Sequence, residues 1–308
     1  MERTRILITG AAGFIGQNLI RRLRGTQNEL FCIIHPEQRG FSFRDAAVRE
    51  RFADLSVAHQ VRKVIAESRP HKVFHLAAVI RNERSFRLVE EVLRNNITAT
   101  LNLISSLHEE GCRRIVTVST CEVYGDRAEP FLESHELNPI SPYSAAKASV
   151  DLFCTMLNRS LGSPVVILRP TLVFGPHQRE SMLIPQIISS ALRSEDFEMT
   201  RGEQTRNFIY VDDIVEALLK AGDVPGIEGQ VFNVGSTLEW AIKDVARKII
   251  ELTGSRARLV LGAKPYRVPE IWRYCSDCRK AKEVLGWEPR VSLEEGLQKT
   301  IQWYRESL

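Results

Sequence analysis

Short apolar runs alternate with longer amphipathic stretches over the first 170 residues. Arg5 to Thr9, Leu30 to Ile34, Lys72 to Val79, Ile115 to Val118 and Val165 to Leu168 are nearly continuous in apolar residues. Runs this short read as strands covered on both faces. Between them lie stretches with helical spacing: Gln17 to Arg24, a segment ending near Ser68, Arg84 to Glu110, and the segment after Pro142. After residue 170 the pattern changes. A helix is expected from Ile184 to Leu192, followed by a polar loop. Arg206 to Asp213 is strand-like and places an Asp as cap for a helix over Ile214 to Ala221. Val231 to Gly235 reads as a strand, and helices are expected at 242–253 and 292–307.

Strand–helix alternation predicts an α/β fold, a Rossmann-type parallel sheet with helices on both faces. The later segments are too discontinuous for an independent core. They are expected to form a smaller C-terminal substrate-binding cap over the strand ends, where open α/β sheets bind ligands. The division expected is 1–170, with 205–235 returning to it, against 171–204 and 236–308. One apolar stripe, Val150, Phe153, Met156 and Leu157, is either core or half of a helix-pair contact between two chains; core is favoured.

Composition narrows the class. With 308 residues, 44% of them hydrophobic, the chain has ample material for one large or two intimate domains. The formal net charge of +4 is small and spread out, so no nucleic-acid partner is expected. No apolar run reaches membrane length and the N-terminus shows no secretory pattern, so no membrane partner is expected. The six cysteines (32, 112, 121, 154, 275 and 278) sit mostly in apolar or helical segments and read as reduced, in a cytoplasmic protein. Cys275 and Cys278 lack a second Cys or His pair, so no metal site is expected.

Two stretches carry chemistry. Gly10, Gly13 and Gly16 stand between a strand and a helix, at i, i+3 and i+6. They suit a tight turn, a close backbone approach to a pyrophosphate and a helix N-terminus facing the anion. The second strand ends at His35-Pro36 with Glu37 and Arg39 beyond. A missing acid with a nearby cation favours NADP over NAD by a small margin; the alternative is that Glu37 reaches the ribose. Asp54 is either an acceptor for an adenine amino group or a helix cap. His75, in an apolar strand, reads as a satisfied core histidine.

The second stretch runs from Ile115 to Lys147. A strand breaks at Ser119-Thr120-Cys121-Glu122, and Tyr143 and Lys147 follow at helical i, i+4 spacing. Strict alternation places Thr120 and Glu122 on one face and Cys121 on the other. All three reach one substrate only if the strand has already broken. Such a cluster can move protons and hold a carbonyl.

Thr9-Gly-x-x-Gly-Phe-x-Gly16, Thr120, Tyr143-x-x-x-Lys147 and Arg206-x-Phe-Ile-Tyr-Val-Asp-Asp together resemble an extended short-chain dehydrogenase/reductase. The family resembled is the NAD-dependent epimerase/dehydratase family, which works on nucleotide sugars. Asp54-Leu55, His75 to Ala78, Asn96 to Leu103 and Ala281 to Pro289 extend the resemblance over nearly the whole chain. It implies that the dinucleotide lies along Gly10, Ala12, Gly13, Phe14, Ile15, Gly16, His35, Arg39, Asp54, Leu55, Leu76, Ala77, Ala78, Asn96 and Pro170, and against Tyr143 and Lys147. It implies Tyr143 as acid/base on the sugar hydroxyl, Lys147 as ribose ligand and cation lowering the Tyr pKa, and Thr120 as donor to the developing carbonyl or sharer of the proton. Arg206 and Arg267 are implied to hold the pyrophosphate of a nucleotide-diphosphate sugar, with Met182 to Ile188 and Phe197 to Thr200 near the base. A homodimer is implied. Leu172 departs from the Asn usual at its position, which removes one donor to the substrate.

Thr120-Cys121-Glu122 resembles the triads of 4,6-dehydratases and sugar-acid decarboxylases more than the small residues of many 4-epimerases. It also resembles the apiose-forming synthase and the 5,6-dehydratase of tunicamycin assembly. The expected activity is a nucleotide-sugar epimerase/dehydratase working through a transient 4-keto sugar. Glu122 either removes the C5 proton or merely ends the strand, and Cys121 either protonates the leaving hydroxyl or packs as a small hydrophobe. The alternatives are an NADPH-dependent 4-ketoreductase, a sugar-acid decarboxylase, or a non-catalytic dinucleotide sensor.

Overall fold

A computed structural model describes residues 3–81 and 83–307. The strands are β1 (Arg5–Thr9), β2 (Glu29–Ile34), β3 (Val48–Phe52), β4 (Lys72–His75), β5 (Arg114–Val118), β6 (Val165–Pro170), β7 (Leu172–Phe174), β8 (Phe197–Met199), β9 (Thr205–Tyr210), β10 (Val231–Val234), β11 (Glu239–Ala241), β12 (Leu259–Leu261) and β13 (Arg273–Tyr274). The helices are α1 (Phe14–Leu23), α2 (Ala58–Ser68), α3 (Val89–Val92), α4 (Ala99–Glu109), α5 (Pro142–Leu161), α6 (Leu183–Leu192), α7 (Val211–Asp223), α8 (Ile242–Thr253), α9 (Arg279–Leu285) and α10 (Leu293–Ser307).

Seven parallel strands form the main sheet in the order β10-β6-β5-β4-β1-β2-β3. The strand order reverses between β1 and β4, so their carboxyl ends flank a crevice where a ligand fits. Period-2 alternation divides β1 between two cores. Ile6 and Ile8 join α1 and α7 on one face, and Leu7 joins α2, α4 and α5 on the other. The remaining strands form a second sheet, β11-β9-β13 with β7 on β9, and a β12–β8 pair.

Several elements depart from expectation, each for a local reason. β3 was not expected, because its Val-Arg-Glu-Arg-Phe sequence carries the charges an edge strand tolerates. β4 stops at His75, and Leu76 to Val79 leave the sheet. The Asn96 amide accepts from Val79 N (2.8 Å) and donates to Val79 O (3.0 Å), anchoring that exit. The long helix expected over 84–110 is interrupted by a π-helical segment, Leu93–Thr98. Of residues 205–235, β10 rejoins the main sheet beside β6, but β9 belongs to the second sheet. α7 begins at Val211, so Asp213 is inside its first turn and is not its cap. Its carboxylate instead accepts from Arg290 N and Val291 N, both at 3.0 Å. The stripe on α5 is split. Val150 is core, whereas Phe153 and Met156 are exposed.

α5 starts with a capping box: Ser141 accepts from Ser144 N, Ser144 Oγ accepts from Ser141 N, and Pro142 occupies the first helical position. It ends at Gly162 in the left-handed conformation that glycine adopts without strain. The helix start is thereby pinned close to the end of β5.

His75 is buried, and its two ring nitrogens pair with Thr9 Oγ1 (2.7 Å) and Thr100 Oγ1 (2.8 Å). Burial, with Lys147 nearby, lowers its pKa from 6.5 to about 3. The folded-state value lies below the unfolded one. The stability that neutral His75 represents is therefore complete above about pH 6.5 and lost as pH falls toward 3. Urea unfolding across that window should show wild type losing about 1.4 kcal/mol per pH unit more than His75→Gln. Parallel pH dependences in the two proteins would refute this account of His75.

Candidate active site

The glycine turn is built for close approach. Gly10 has φ +65°, and a Cβ there would lie 2.6 Å from Ala77 N. A Cβ on Gly16 would lie 2.4 Å from Gly10 O. Gly13 donates to Gly10 O at 2.9 Å and precedes α1 with no side chain capping the helix. The first amides of α1, at Phe14, Ile15 and Gly16, are therefore left for an anion at the crevice beside Ala12. This cradle fits a dinucleotide pyrophosphate.

Asp54 lies beyond the end of β3. Its Oδ1 accepts from Ser56 N (2.8 Å) and Ser56 Oγ (2.7 Å), an Asx turn that replaces the helix-cap alternative. The residue preceding α2 is Val57, which makes no side-chain cap. Burial pushes the Asp54 carboxyl up, but the Ser56 bonds, His35 and Arg94 outweigh it and hold it below its usual value. His35 Nε2 is 4.0 Å from Asp54 Oδ2. Arg39 is exposed at the same end. Leu55 and Pro170 are buried, and Leu76 to Ala78 are half-buried along the strand ends. Asn96, expected against the cofactor, commits its amide to Val79 and so shapes the wall of the crevice.

The redox cluster sits where β5 ends. Thr120 caps a 3₁₀ turn, Cys121–Tyr124, and its Oγ1 accepts from Glu122 N at 3.1 Å. The same oxygen is 3.1 Å from the Tyr274 hydroxyl. Ser141 Oγ donates to Glu122 Oε1 at 2.5 Å, which ties the carboxylate to the start of α5. Tyr143 and Lys147 are buried one turn apart on α5. Lys147 Nζ donates to Val118 O at 2.6 Å. Burial, opposed by Asp151, lowers the lysine from 10.5 to about 8. Tyr143 shifts opposite to the direction the resemblance implies. Burial, then the charges of Glu122 and Asp151, push its phenol above the usual 10. In the chain alone Tyr143 holds its proton firmly, as a group does whose charged form is desolvated.

Cys121 does not join this cluster. It is fully buried, and its thiol donates to Arg169 O at 3.1 Å. Burial raises its pKa well above 9.0. It packs with Val123, Tyr124, Phe131, Ala148, Ile271 and Tyr274, so the acid role expected at a sugar C6 is replaced by packing.

In the second sheet, Arg206 Nη2 pairs with Glu270 Oε1 at 2.8 Å, and its guanidinium lies 5.9 Å from the Tyr274 ring centre. Burial lowers its pKa, with Glu270 opposing; Arg267 is exposed, and its charge reaches Arg206. Leu172 packs against the Tyr274 cluster. Met182 is half-buried at the start of α6. Ile184, expected at the substrate, is turned into the core, as are Phe197 and Met199. The reason is periodicity: α6 buries its Ile184, Ile187, Ile188 and Ala191 face.

Sequence reading missed Tyr274, Ser141 and Glu270. Each acts through a contact distant in the chain or through a common surface residue type, so no local pattern marks it. The Arg-Tyr pair just before Cys275 was the nearest available signal.

Comparison with known proteins agrees with this geometry. The profile of the NAD dependent epimerase/dehydratase family matches residues 6–235. A trifunctional UDP-glucose 4,6-dehydratase/UDP-4-keto-6-deoxy-D-glucose 3,5-epimerase/UDP-4-keto-L-rhamnose-reductase of Arabidopsis thaliana is 32% identical over 98% of this chain, which spans 47% of that protein. The human dTDP-D-glucose 4,6-dehydratase is 30% identical, over 98% of this chain and 90% of its own length. The structure of UDP-glucuronic acid 4-epimerase from Bacillus cereus, with UDP-glucuronic acid and NAD, superposes with a TM-score of 0.88. It is 26% identical, over 98% of this chain and 99% of that one. With the glycine cradle, the Thr-Tyr-Lys cluster and these matches in agreement, the chain belongs to the NAD-dependent epimerase/dehydratase family of nucleotide-sugar enzymes.

Proposed function

We propose that this enzyme oxidises a nucleotide-diphosphate hexose transiently at C4 and then removes the C5 proton, as a nucleotide-sugar dehydratase. The observation that carries the reading is Glu122, a half-buried carboxylate held by Ser141 in the turn that carries Thr120. A simple 4-epimerase needs no such base. A dinucleotide held along the Gly10–Gly16 turn would supply the hydride acceptor for C4 and the donor that closes the cycle at C6. Between the two, Glu122 would take the C5 proton and the C6 hydroxyl would leave as water carrying that proton. Tyr143 would take the C4 hydroxyl proton, which requires the cation of Lys147 beside it. Thr120, accepting from Glu122 N and able to accept from Tyr274, keeps its own proton to donate to the C4 oxygen. Arg206, with Arg267 near it, would face the pyrophosphate. The withdrawal of Cys121 favours one alternative, C4 epimerisation without elimination.

Residues 1–170 with β10 are read as the dinucleotide-binding part, and the second sheet with α6, α8 and α10 as the substrate cap. His35 and the exposed Arg39 at the end of β2 support NADP ahead of NAD. Leu152, Phe153 and Met156 of α5 and nearby Leu93 are 64%, 40%, 44% and 47% exposed, an apolar face suited to a second copy of the chain. All six cysteines are free, which supports a cytoplasmic enzyme.

Three outcomes are expected. With UDP-glucose or dTDP-glucose in deuterated water, wild type should place deuterium at C5. Glu122→Gln should slow that labelling by about 10²-fold or more while still reducing its bound cofactor, and Tyr143→Phe should abolish both. Labelling at the wild-type rate in Glu122→Gln would remove the dehydratase reading. Titration calorimetry should show Arg39→Ala weakening NADP about tenfold without changing NAD, the loss of one charge-assisted contact. Unchanged NADP affinity would reject that preference. Sedimentation should find wild type dimeric and Phe153→Glu monomeric; a monomeric wild type would rule the dimer out.

A further inference from the structure

Behind the redox cluster lies a second, fully enclosed group of charges that the proposed chemistry does not use directly. Asp151 is one helical turn beyond Lys147 and is 2% exposed. Its Oδ2 accepts from Arg169 Nε at 2.8 Å and from Ser119 Oγ at 2.9 Å. Its Oδ1 is buried with no hydrogen-bond partner among the described residues. A carboxylate oxygen left bare in the interior is strongly disfavoured unless a neighbouring cation offsets it. Arg169 also donates to the Tyr124 hydroxyl at 2.7 Å and lies 4.9 Å from that ring's centre, and Tyr124 in turn donates to Asn233 Oδ1 at 2.8 Å. Ser119 and Tyr124 bracket the turn that carries Thr120 and Glu122.

We propose that Asp151 is a positioning residue for the reaction, supplying the buried counter-charge of Lys147 and fixing the 119–124 turn through Ser119 and Arg169. The proposal deepens the function proposed above and rests on its assignment of Lys147. Among the described residues, Asp151 is the carboxylate whose charge opposes the burial of Lys147. From α5 it is faced by Asp151 and Cys154, with Tyr143 one turn earlier, and from β4 by His75. His75 is neutral at working pH, and the Cys154 thiol is raised by burial and uncharged. Burial pulls Lys147 down toward neutrality and Asp151 opposes it. Burial likewise pushes the Asp151 carboxyl up, against Arg169, Ser119 and Lys147. Each charge is therefore retained because the others are present.

The test is an NMR titration of ¹³Cε-lysine-labelled, NAD-loaded protein, with the Lys147 signal assigned by its loss in Lys147→Arg. Asp151→Asn should move the Lys147 midpoint down by about one pH unit or more, while Asp151→Glu holds it within about half a unit. Asp151→Asn leaves Arg169 buried without its partner and is liable to misfold. The double variant Asp151→Asn/Arg169→Gln, which removes both charges, is measured in the same way and should still shift the midpoint down, by less than Asp151→Asn because loss of the Arg169 cation opposes loss of the carboxylate. A purely structural Asp151 would alter thermal stability and leave the Lys147 midpoint in place; an unmoved midpoint in whichever variant folds overturns the proposal. The titration needs no sugar substrate. A shifted midpoint in a protein that turns over neither UDP-glucose nor dTDP-glucose would count against the proposed function and not against the role of Asp151.

Discussion

The bond from Lys147 Nζ to Val118 O is the contact on which the active centre depends. An ammonium group in a protein interior must find acceptors or lose its charge. Val118 is the last residue of β5. Satisfying the lysine there sets how deeply α5 packs against the sheet and where along β5 it begins. Tyr143, one turn earlier, then lies over the point where the chain leaves the sheet. Thr120 and Glu122 are in that departure, and the Ser141–Glu122 contact joins it to the N-cap of the helix. The relative placement of four reactive side chains follows from solvating one buried charge.

The cofactor side is governed by contact between backbones. The three glycines differ in what they do. Gly10 needs a positive φ and has Ala77 against it; Gly16 has ordinary helical geometry but lies directly on the carbonyl of Gly10. Their spacing is thus a packing requirement that brings α1 against the start of its own loop. The alanines at 77 and 78 belong to the same requirement, because the segment leaving β4 runs past Gly10. Asn96 holds that segment at Val79, so a residue expected to touch the cofactor shapes its groove.

What could be read from the chain was whatever is local. Buried parallel strands announce themselves as apolar runs, and β1, β2, β5 and β6 were legible for that reason. β3 was not, because an edge strand with alternating charges looks like a surface loop. The glycine turn, Thr120, Tyr143 and Lys147 were legible because their chemistry depends on short fixed spacings. Tyr274 meets Thr120 across 154 residues, and nothing near it in the chain signals that meeting. Arg206 was legible as a cation, but the carboxylate that faces it, Glu270, was not. Ile184 was misplaced for the opposite reason: its helix was recognised, but which face of that helix turns inward depends on the core it meets.

Cys121 shows how packing decides between two chemical readings of one motif. Alternation already placed it opposite Thr120 and Glu122, and the 3₁₀ turn preserves that separation. At its position the nearest partner is the carbonyl of Arg169, an acceptor, so the site favours a donor. A thiol meets this condition weakly and fills a small apolar volume. An ionised carboxylate would set acceptor against acceptor in a desolvated pocket, where an unpaired charge is strongly disfavoured. The same cluster contains Tyr274 and Ile271, which reach it from β13 and the loop before it. The core that buries Cys121 is therefore also the core that joins β13 and the loop before it to the 121–124 turn. By that route Tyr274 is brought to Thr120, and the second sheet reaches the end of β5 through a hydroxyl that no short motif in this chain records.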